Sequence, residues 1–188
     1  MATAELSVMQ PIYYIASGFD WTAGETISNE TFSGAPHKTF FLPDIPDAYA
    51  NIPDYLARRQ TESKLEDLRA SVYKQLPSRR NALFLNKDEE DARKWLQRGA
   101  RCEYRIYELN PVRTEAAFEA NYVWYNYIVR LHKDPFTENR KLFSEDVELE
   151  IASCLAAYWT NRATEEFQCP TEAEVLFVGE LNVVRKVA

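Results

Sequence analysis

Residues 170–179 read Pro-Thr-Glu-Ala-Glu-Val-Leu-Phe-Val-Gly, and this stretch decides how the chain folds around its candidate site. The apolar run at 175–178 is typical of a buried strand. Side chains alternate along a strand, so Glu172 and Glu174 project from the same face. Glu174 stands at the strand's predicted start, where a cleft can open. A carboxylate there suits binding of a sugar hydroxyl or stabilisation of a developing cation; alternatively, the pair is a solvated strand end without a chemical role.

Upstream of this stretch, the sequence alternates short strands with separated helices, which predicts an α+β fold. The chain of 188 residues predicts one domain, spanning 1–188. Residues 28–55 are rich in proline and predict a long irregular segment that acts as a lid or binding wall. The patterns predict strands at 11–17, 82–85, 102–109, 174–177 and 181–187, and helices at 54–75, 88–98, 114–131 and 144–161.

Composition excludes several classes of protein. Apolar residues make up 46% of the chain and aromatic residues 13%, as in globular proteins. The net charge of −7 argues against non-specific nucleic-acid binding, which depends on Lys and Arg contacts to phosphate. Three cysteines without a CxxC pair and two histidines predict neither a disulfide framework nor a zinc site, and they favour the reducing cytoplasm. Neither a signal peptide nor a membrane-spanning segment is predicted.

Two segments offer polar or aromatic side chains to a ligand. Residues 77–81, Pro-Ser-Arg-Arg-Asn, lie between a predicted helix and a buried strand. Arg79 or Arg80 can place a guanidinium in a pocket for phosphate, or the segment is a solvated turn with both arginines exposed. Tyr13 and Tyr14 point to opposite faces of the first strand, so one of them can face a cleft and stack on a nucleobase, or belong to the core.

Other chemistries have little support in the sequence. With five glycines there is neither a dinucleotide-binding fingerprint nor a P-loop. Cys154 lies on the apolar side of a predicted helix, and Cys169 has no base next to it in sequence. His37 and His132 stand alone in unrelated contexts. Nucleophilic catalysis by cysteine or histidine is therefore not expected.

Three segments, in this order along the chain, resemble the ADP-ribosyltransferase superfamily. Residues 172–177, followed by a glycine, are similar to its Glu-x-Glu strand. The strand at 12–17 resembles the first conserved strand, and residues 77–85 resemble the second. The chain looks most like a group of small bacterial and phage transferase-like proteins with a Pro-Ser-Arg segment before that second strand. The resemblance implies an α+β fold with a split β-sheet core and flanking helices.

The resemblance also implies roles for individual residues. Glu174 would be the catalytic glutamate that binds the nicotinamide ribose of NAD, and Glu172 would orient or deprotonate the acceptor. Tyr14 and Phe84 stand where one branch of the superfamily has His and Tyr. The first strand lacks the arginine of the other branch, so Arg79 or Arg80 would supply that charge. The residues expected to contact NAD, the substrate, are Tyr14, Ser78, Arg79 and Phe84.

The sequence therefore predicts a cytoplasmic mono-ADP-ribosyltransferase, a glycosyltransferase that uses NAD to modify a macromolecular acceptor, either protein or nucleic acid. Its carboxylate would stabilise an oxocarbenium-like transition state. Hydrolysis of NAD without an acceptor is a related possibility. The alternative class is a non-catalytic interaction protein on a similar scaffold, for example a phage inhibitor of a host factor, which the acidic balance favours.

Overall fold

The computed structural model describes residues 11–31, 52–97, 104–133, 144–163 and 172–188. These residues form an α+β fold with a five-stranded antiparallel sheet and helices, which confirms the α+β part of the predicted fold class. The elements are β1 (Tyr13–Ser17), β2 (Thr26–Ser28), α1 (Ile52–Ser71), β3 (Leu83–Leu85), α2 (Glu89–Gln97), β4 (Arg105–Asn121), α3 (Tyr122–Lys133), α4 (Ser144–Trp159) and β5 (Ala173–Lys186).

The sheet is built on β4 and β5, two long strands that pair with each other in antiparallel register. β1 pairs with the other edge of β4, and β2 and β3 both pair with β5. The end of β3 also meets β1, because Tyr14 and Asn86 exchange backbone N–H···O bonds of 2.9 and 2.8 Å. The sheet therefore curls until its two edges touch.

The two faces of the curled sheet support separate cores. One core collects apolar side chains from all five strands: Ile15, Ile27, Leu83, Leu85, Tyr107, Leu109, Val175, Phe177, Leu181 and Val183. The other joins Ala120 and Leu176 of the sheet to buried residues of α1, α3 and α4. The apolar face predicted for α4 is confirmed, since all its members are buried: Val147, Ile151, Leu155, Tyr158 and Trp159. This helix-covered face carries the candidate site.

Two predicted elements differ from the structure around β4 and β5. Residues 114–121, predicted as the start of a helix, continue β4, and α3 begins only after Asn121, whose Oδ1 accepts the Val123 N–H at 3.1 Å. Thr114 is therefore not a helix cap. The predicted break at Gly179 lies inside the continuous strand β5. A Cβ at Gly179 would lie 2.0 Å from the Arg113 carbonyl oxygen, so this glycine permits close approach of two strands instead of ending one.

The predicted irregular segment is described only in part. Its residues 32–51 lie outside the described residues, whereas α1 begins at Ile52 and the short strand β2, which was not predicted, ends at Ser28. At the other end of α1, the helix stops at Ser71, before the predicted end at 75. In the part of the chain that the structure describes, no helix combines the length and apolar character needed to cross a bilayer.

Candidate functional site

Glu174 is the second residue of β5 and lies opposite Ala120 of β4. It precedes Leu176 by two positions and so shares the face of the sheet that the helices cover. The residue is only 8% exposed. Burying a carboxylate this deeply is costly unless charged or hydrogen-bonding partners surround it. The neighbouring elements supply them.

The first partner is Arg79, from the segment between α1 and β3. The carbonyl of Ser78 accepts backbone N–H bonds from Asn81 and Ala82 at 3.1 and 2.9 Å, which closes a tight turn. Within this turn Arg79 is buried and Arg80 is exposed. Arg79 Nη1 donates to Glu174 Oε1 at 2.5 Å. The alternative of a solvated turn with both arginines exposed is therefore wrong.

A second carboxylate also binds Arg79. Glu62 of α1 is fully buried and accepts from Arg79 Nε at 2.8 Å and from Nη2 at 2.9 Å. This is the bidentate geometry that guanidinium and carboxylate groups favour. With Nη1 also bonded, Arg79 has no exposed group for a diphosphate, because the residue is 1% exposed. The expected phosphate-binding role of Arg79 is therefore replaced by an internal one.

Aromatic rings enclose the guanidinium of Arg79. Its central carbon lies 4.6 Å from the ring centroid of Phe84, 4.9 Å from that of Tyr125 and 5.1 Å from that of Tyr158. Such cation–π contacts are strongest where water is excluded. Phe84 therefore packs on Arg79 in this structure, and the position expected to contact NAD serves the internal cluster.

The hydroxyl of Tyr158, on α4, completes the group of polar contacts. It donates to Glu174 Oε1 at 2.5 Å and accepts a hydrogen bond from Arg79 Nη1. We call Glu62, Arg79, Tyr158 and Glu174 the Glu174 cluster. It joins α1, the turn before β3, α4 and the start of β5 at one buried point.

Electrostatics in the Glu174 cluster are unbalanced, because two carboxylates share one guanidinium. Burial raises the pKa of Glu174, while the charge of Arg79 and the bond from Tyr158 act in the opposite direction. Burial disfavours the charged form of Arg79, but Glu174 and Glu62 outweigh it and hold its pKa well above the ordinary value. Burial also raises the pKa of Tyr158 well above its usual range, so this phenol keeps its proton.

The other two residues expected in the site near Glu174 lie at its margins. Glu172 is half-buried just before β5, and its backbone carbonyl accepts the Tyr122 N–H at 2.7 Å. Ser78 is half-buried, and its Oγ accepts the Arg80 N–H at 3.2 Å. Ser78 immediately precedes Arg79 in sequence, and Glu172 lies two residues before Glu174.

Tyr14 lies in a different electrostatic environment. Its pKa is raised, first by burial and then by Glu108 and Glu89, and none of the Glu174 cluster contributes. Its backbone pairs with Asn86, one residue beyond the Leu85–Val175 pair of β3 and β5. Two strand spacings, about 10 Å, therefore separate this part of β1 from β5. The structure brings Arg79 to Glu174 but does not place the Tyr14 side chain among their partners.

Glu62 and Tyr158 are the members of the Glu174 cluster that were not predicted from the sequence as site residues. Glu62 lies seven positions after Tyr55 and three before Leu65 on α1, and all three are fully buried. This spacing puts a carboxylate in the apolar stripe of a helix, which is a readable signal of a buried ion pair. Tyr158 gave no such signal, because a tyrosine on an apolar helix face is ordinary.

The fold and the site together define a class: an α+β protein with a buried carboxylate–guanidinium–phenol cluster at the start of its last strand. A family model described as "Protein of unknown function (DUF2441)" matches residues 35–188, and the chain belongs to this family. No curated protein matches the sequence. All of the Glu174 cluster lies inside the matched region, whereas β1 and β2 precede it.

Proposed function

We propose that the protein is a mono-ADP-ribosyltransferase that uses NAD, with Glu174 acting on the nicotinamide ribose. One observation carries the proposal: Glu174 is held by one oxygen only. Its Oε1 accepts from both Arg79 and Tyr158, while Oε2 accepts no bond from the described residues. The side chain keeps 11% of its surface exposed. A fixed carboxylate with one oxygen left over suits a substrate group.

The chemistry follows from the charge of the Glu174 cluster. As the bond between ribose C1′ and the nicotinamide nitrogen breaks, its electron pair leaves with nicotinamide and positive charge builds on the sugar. The surplus negative charge on Glu174 stabilises that charge without reorganising. A nucleophile on the acceptor then bonds to C1′ and loses a proton, which Glu172, two residues before Glu174 in sequence, can accept.

The roles of the surrounding residues change under this proposal. Arg79 binds the catalytic carboxylate and Phe84 packs on Arg79, so the diphosphate of NAD is bound elsewhere. Ser78 and Tyr14 stay predictions as contacts to NAD. The acceptor is a macromolecule, protein or nucleic acid, and water replaces it if the enzyme only hydrolyses NAD.

The test is nicotinamide release from NAD, together with transfer of label from ³²P-NAD to protein or nucleic acid in a cell extract. Glu174→Gln should reduce both by about 100-fold or more, because it removes the charge and keeps the shape. Glu180→Gln on the same strand is the matched control, since its carboxylate pairs with Arg113 at the surface. Equal release by the wild type and Glu174→Gln contradicts the proposed function. Release without labelling indicates hydrolysis.

A second function, a non-catalytic interaction protein, is favoured by one observation. Glu174 is 8% exposed and already has two internal donors, as expected of a purely structural cluster. Calorimetry with NAD separates the two functions. No heat of binding at millimolar NAD favours the interaction protein, whereas saturable binding favours the transferase.

A further inference from the structure

We infer that Tyr158 is a positioning residue that fixes the carboxylate of Glu174 for reaction, an inference that rests on the proposed function. The hydroxyl of Tyr158, on α4, contacts the carboxylate of Glu174, on β5. Tyr158 lies at the end of α4 and is 0% exposed, and its hydroxyl lies 2.5 Å from Glu174 Oε1.

The direction of the hydrogen bonds is fixed by the chemistry of the partners. A guanidinium has only donors, so the contact between Arg79 and the phenol oxygen must run from Arg79 to Tyr158. The single phenol proton then goes to Glu174 Oε1. Because Arg79 Nη1 donates to the same oxygen, Oε1 carries both internal hydrogen bonds, and Oε2 accepts none from the described residues. Tyr158 thereby selects which oxygen meets the substrate.

The phenol itself is held by packing. Its ring lies 5.0 Å from the ring of Trp159 at an interplanar angle of 86°. Trp159 in turn donates from Nε1 to the Leu65 carbonyl at 2.9 Å, which ties the end of α4 to α1. Glu62, on the same helix, holds Arg79. Helix α1 therefore supports both donors to the carboxylate, Tyr158 through Trp159 and Arg79, in the turn before β3, through Glu62.

The experiment compares Tyr158→Phe with Tyr107→Phe. Tyr107 is also fully buried, and its hydroxyl bonds to the Phe19 carbonyl at 3.0 Å, in the other core. Loss of positioning lowers kcat for nicotinamide release by roughly 10-fold to 100-fold in Tyr158→Phe, with KM for NAD changed far less. Tyr107→Phe also removes a phenol hydroxyl that has hydrogen-bond partners of its own, but it should keep kcat within about 3-fold of the wild type.

A second readout is independent of turnover. The bond from Tyr158 lowers the pKa of Glu174, so its removal should raise that pKa, moving the acidic limb of the pH–rate profile upward. Carbon-13 NMR of glutamate labelled at the side-chain carboxyl measures the same titration directly, with Glu174→Gln assigning the signal.

The outcomes separate the two hypotheses. A wild-type chain that releases no nicotinamide, or a fully active Glu174→Gln variant, overturns the proposed function. The positioning role of Tyr158 is tested once the wild type is active and Glu174→Gln is inactive. It is overturned if Tyr158→Phe and Tyr107→Phe then have the same kcat and the pKa of Glu174 does not change in Tyr158→Phe. A lower kcat with a raised pKa in Tyr158→Phe alone supports it.

Discussion

The neighbouring arginines at 79 and 80 offer a sharp test of the Glu174 cluster. Arg79→Met keeps much of the side-chain volume but leaves the carboxylates of Glu62 and Glu174 without their counter-charge. The side chains of Arg79 and Glu62 are 2% and 0% exposed, so water does not screen the loss. Breaking a buried pair by removing one partner costs about 3–5 kcal/mol. Against a total stability of about 5–15 kcal/mol for a domain, this loss is large.

Arg80→Met is the matched control, because this neighbour is exposed and its removal should change stability by only about 0.5 kcal/mol. Urea unfolding followed by tryptophan fluorescence measures both variants, and thermal unfolding gives a check. At about 2–4 °C per kcal/mol for a chain of this size, Arg79→Met should lower Tm by roughly 6–20 °C. If Arg79→Met lies within about 1 kcal/mol of Arg80→Met, the buried ion pair is not what holds this region together.

Two further predictions concern the strand that carries the site. Because burial raises the pKa of Glu174, the folded state binds a proton at Glu174 more readily than the unfolded state does. The stabilisation that protonated Glu174 contributes is therefore present at low pH and is lost as the pH rises from about 4.5 through the folded pKa. The stability of the wild type relative to Glu174→Gln, from urea unfolding at a series of pH values, should fall over that window; a difference that is independent of pH contradicts it. Gly179→Ala should cost about 2 kcal/mol or more, since the new Cβ would meet the Arg113 carbonyl at 2.0 Å with φ at +139°. Gly24→Ala, at φ +92° with open space around the new Cβ, should lower the free energy of unfolding by less in the same measurement. An equal loss in both variants would show that the backbone of β4 at Arg113 moves to accommodate the new Cβ at position 179.

Much of the architecture was predictable from local pattern. The strands at the start and end of the chain, the strand 83–85 and α4 all follow from apolar periodicity and its interruption by turn residues. The helix prediction for residues 114–121 was wrong, because the aromatic and small residues there fit the repeat of a strand as well as that of a helix. Pairing with β5 decides it: Ala120 lies opposite Glu174 and Phe118 opposite Leu176. Such a long-range choice is not encoded in the local sequence.

The candidate site was predictable only where it is local. The spacing of Glu172 and Glu174 before an apolar run put Glu174 at the start of a strand, where the structure has it. Which of two adjacent arginines turns inward depends on the bonds that close the turn at Ser78. Glu62 lies 17 positions before Arg79 in sequence, and Tyr158 lies 79 positions after it. Their contacts with Arg79 therefore depend on how α1 and α4 pack in the folded chain.

The charges of the Glu174 cluster connect its structure to the proposed function. Glu62 alone satisfies the charge of Arg79 with two hydrogen bonds, so a structural ion pair is complete without Glu174. A second buried carboxylate adds repulsion and desolvation, and its raised pKa records that cost. A neutral side chain at position 174 would accept bonds from Arg79 and Tyr158 at lower cost. A surplus negative charge, held rigidly and with one oxygen unoccupied, instead suits a group that must meet positive charge as it develops.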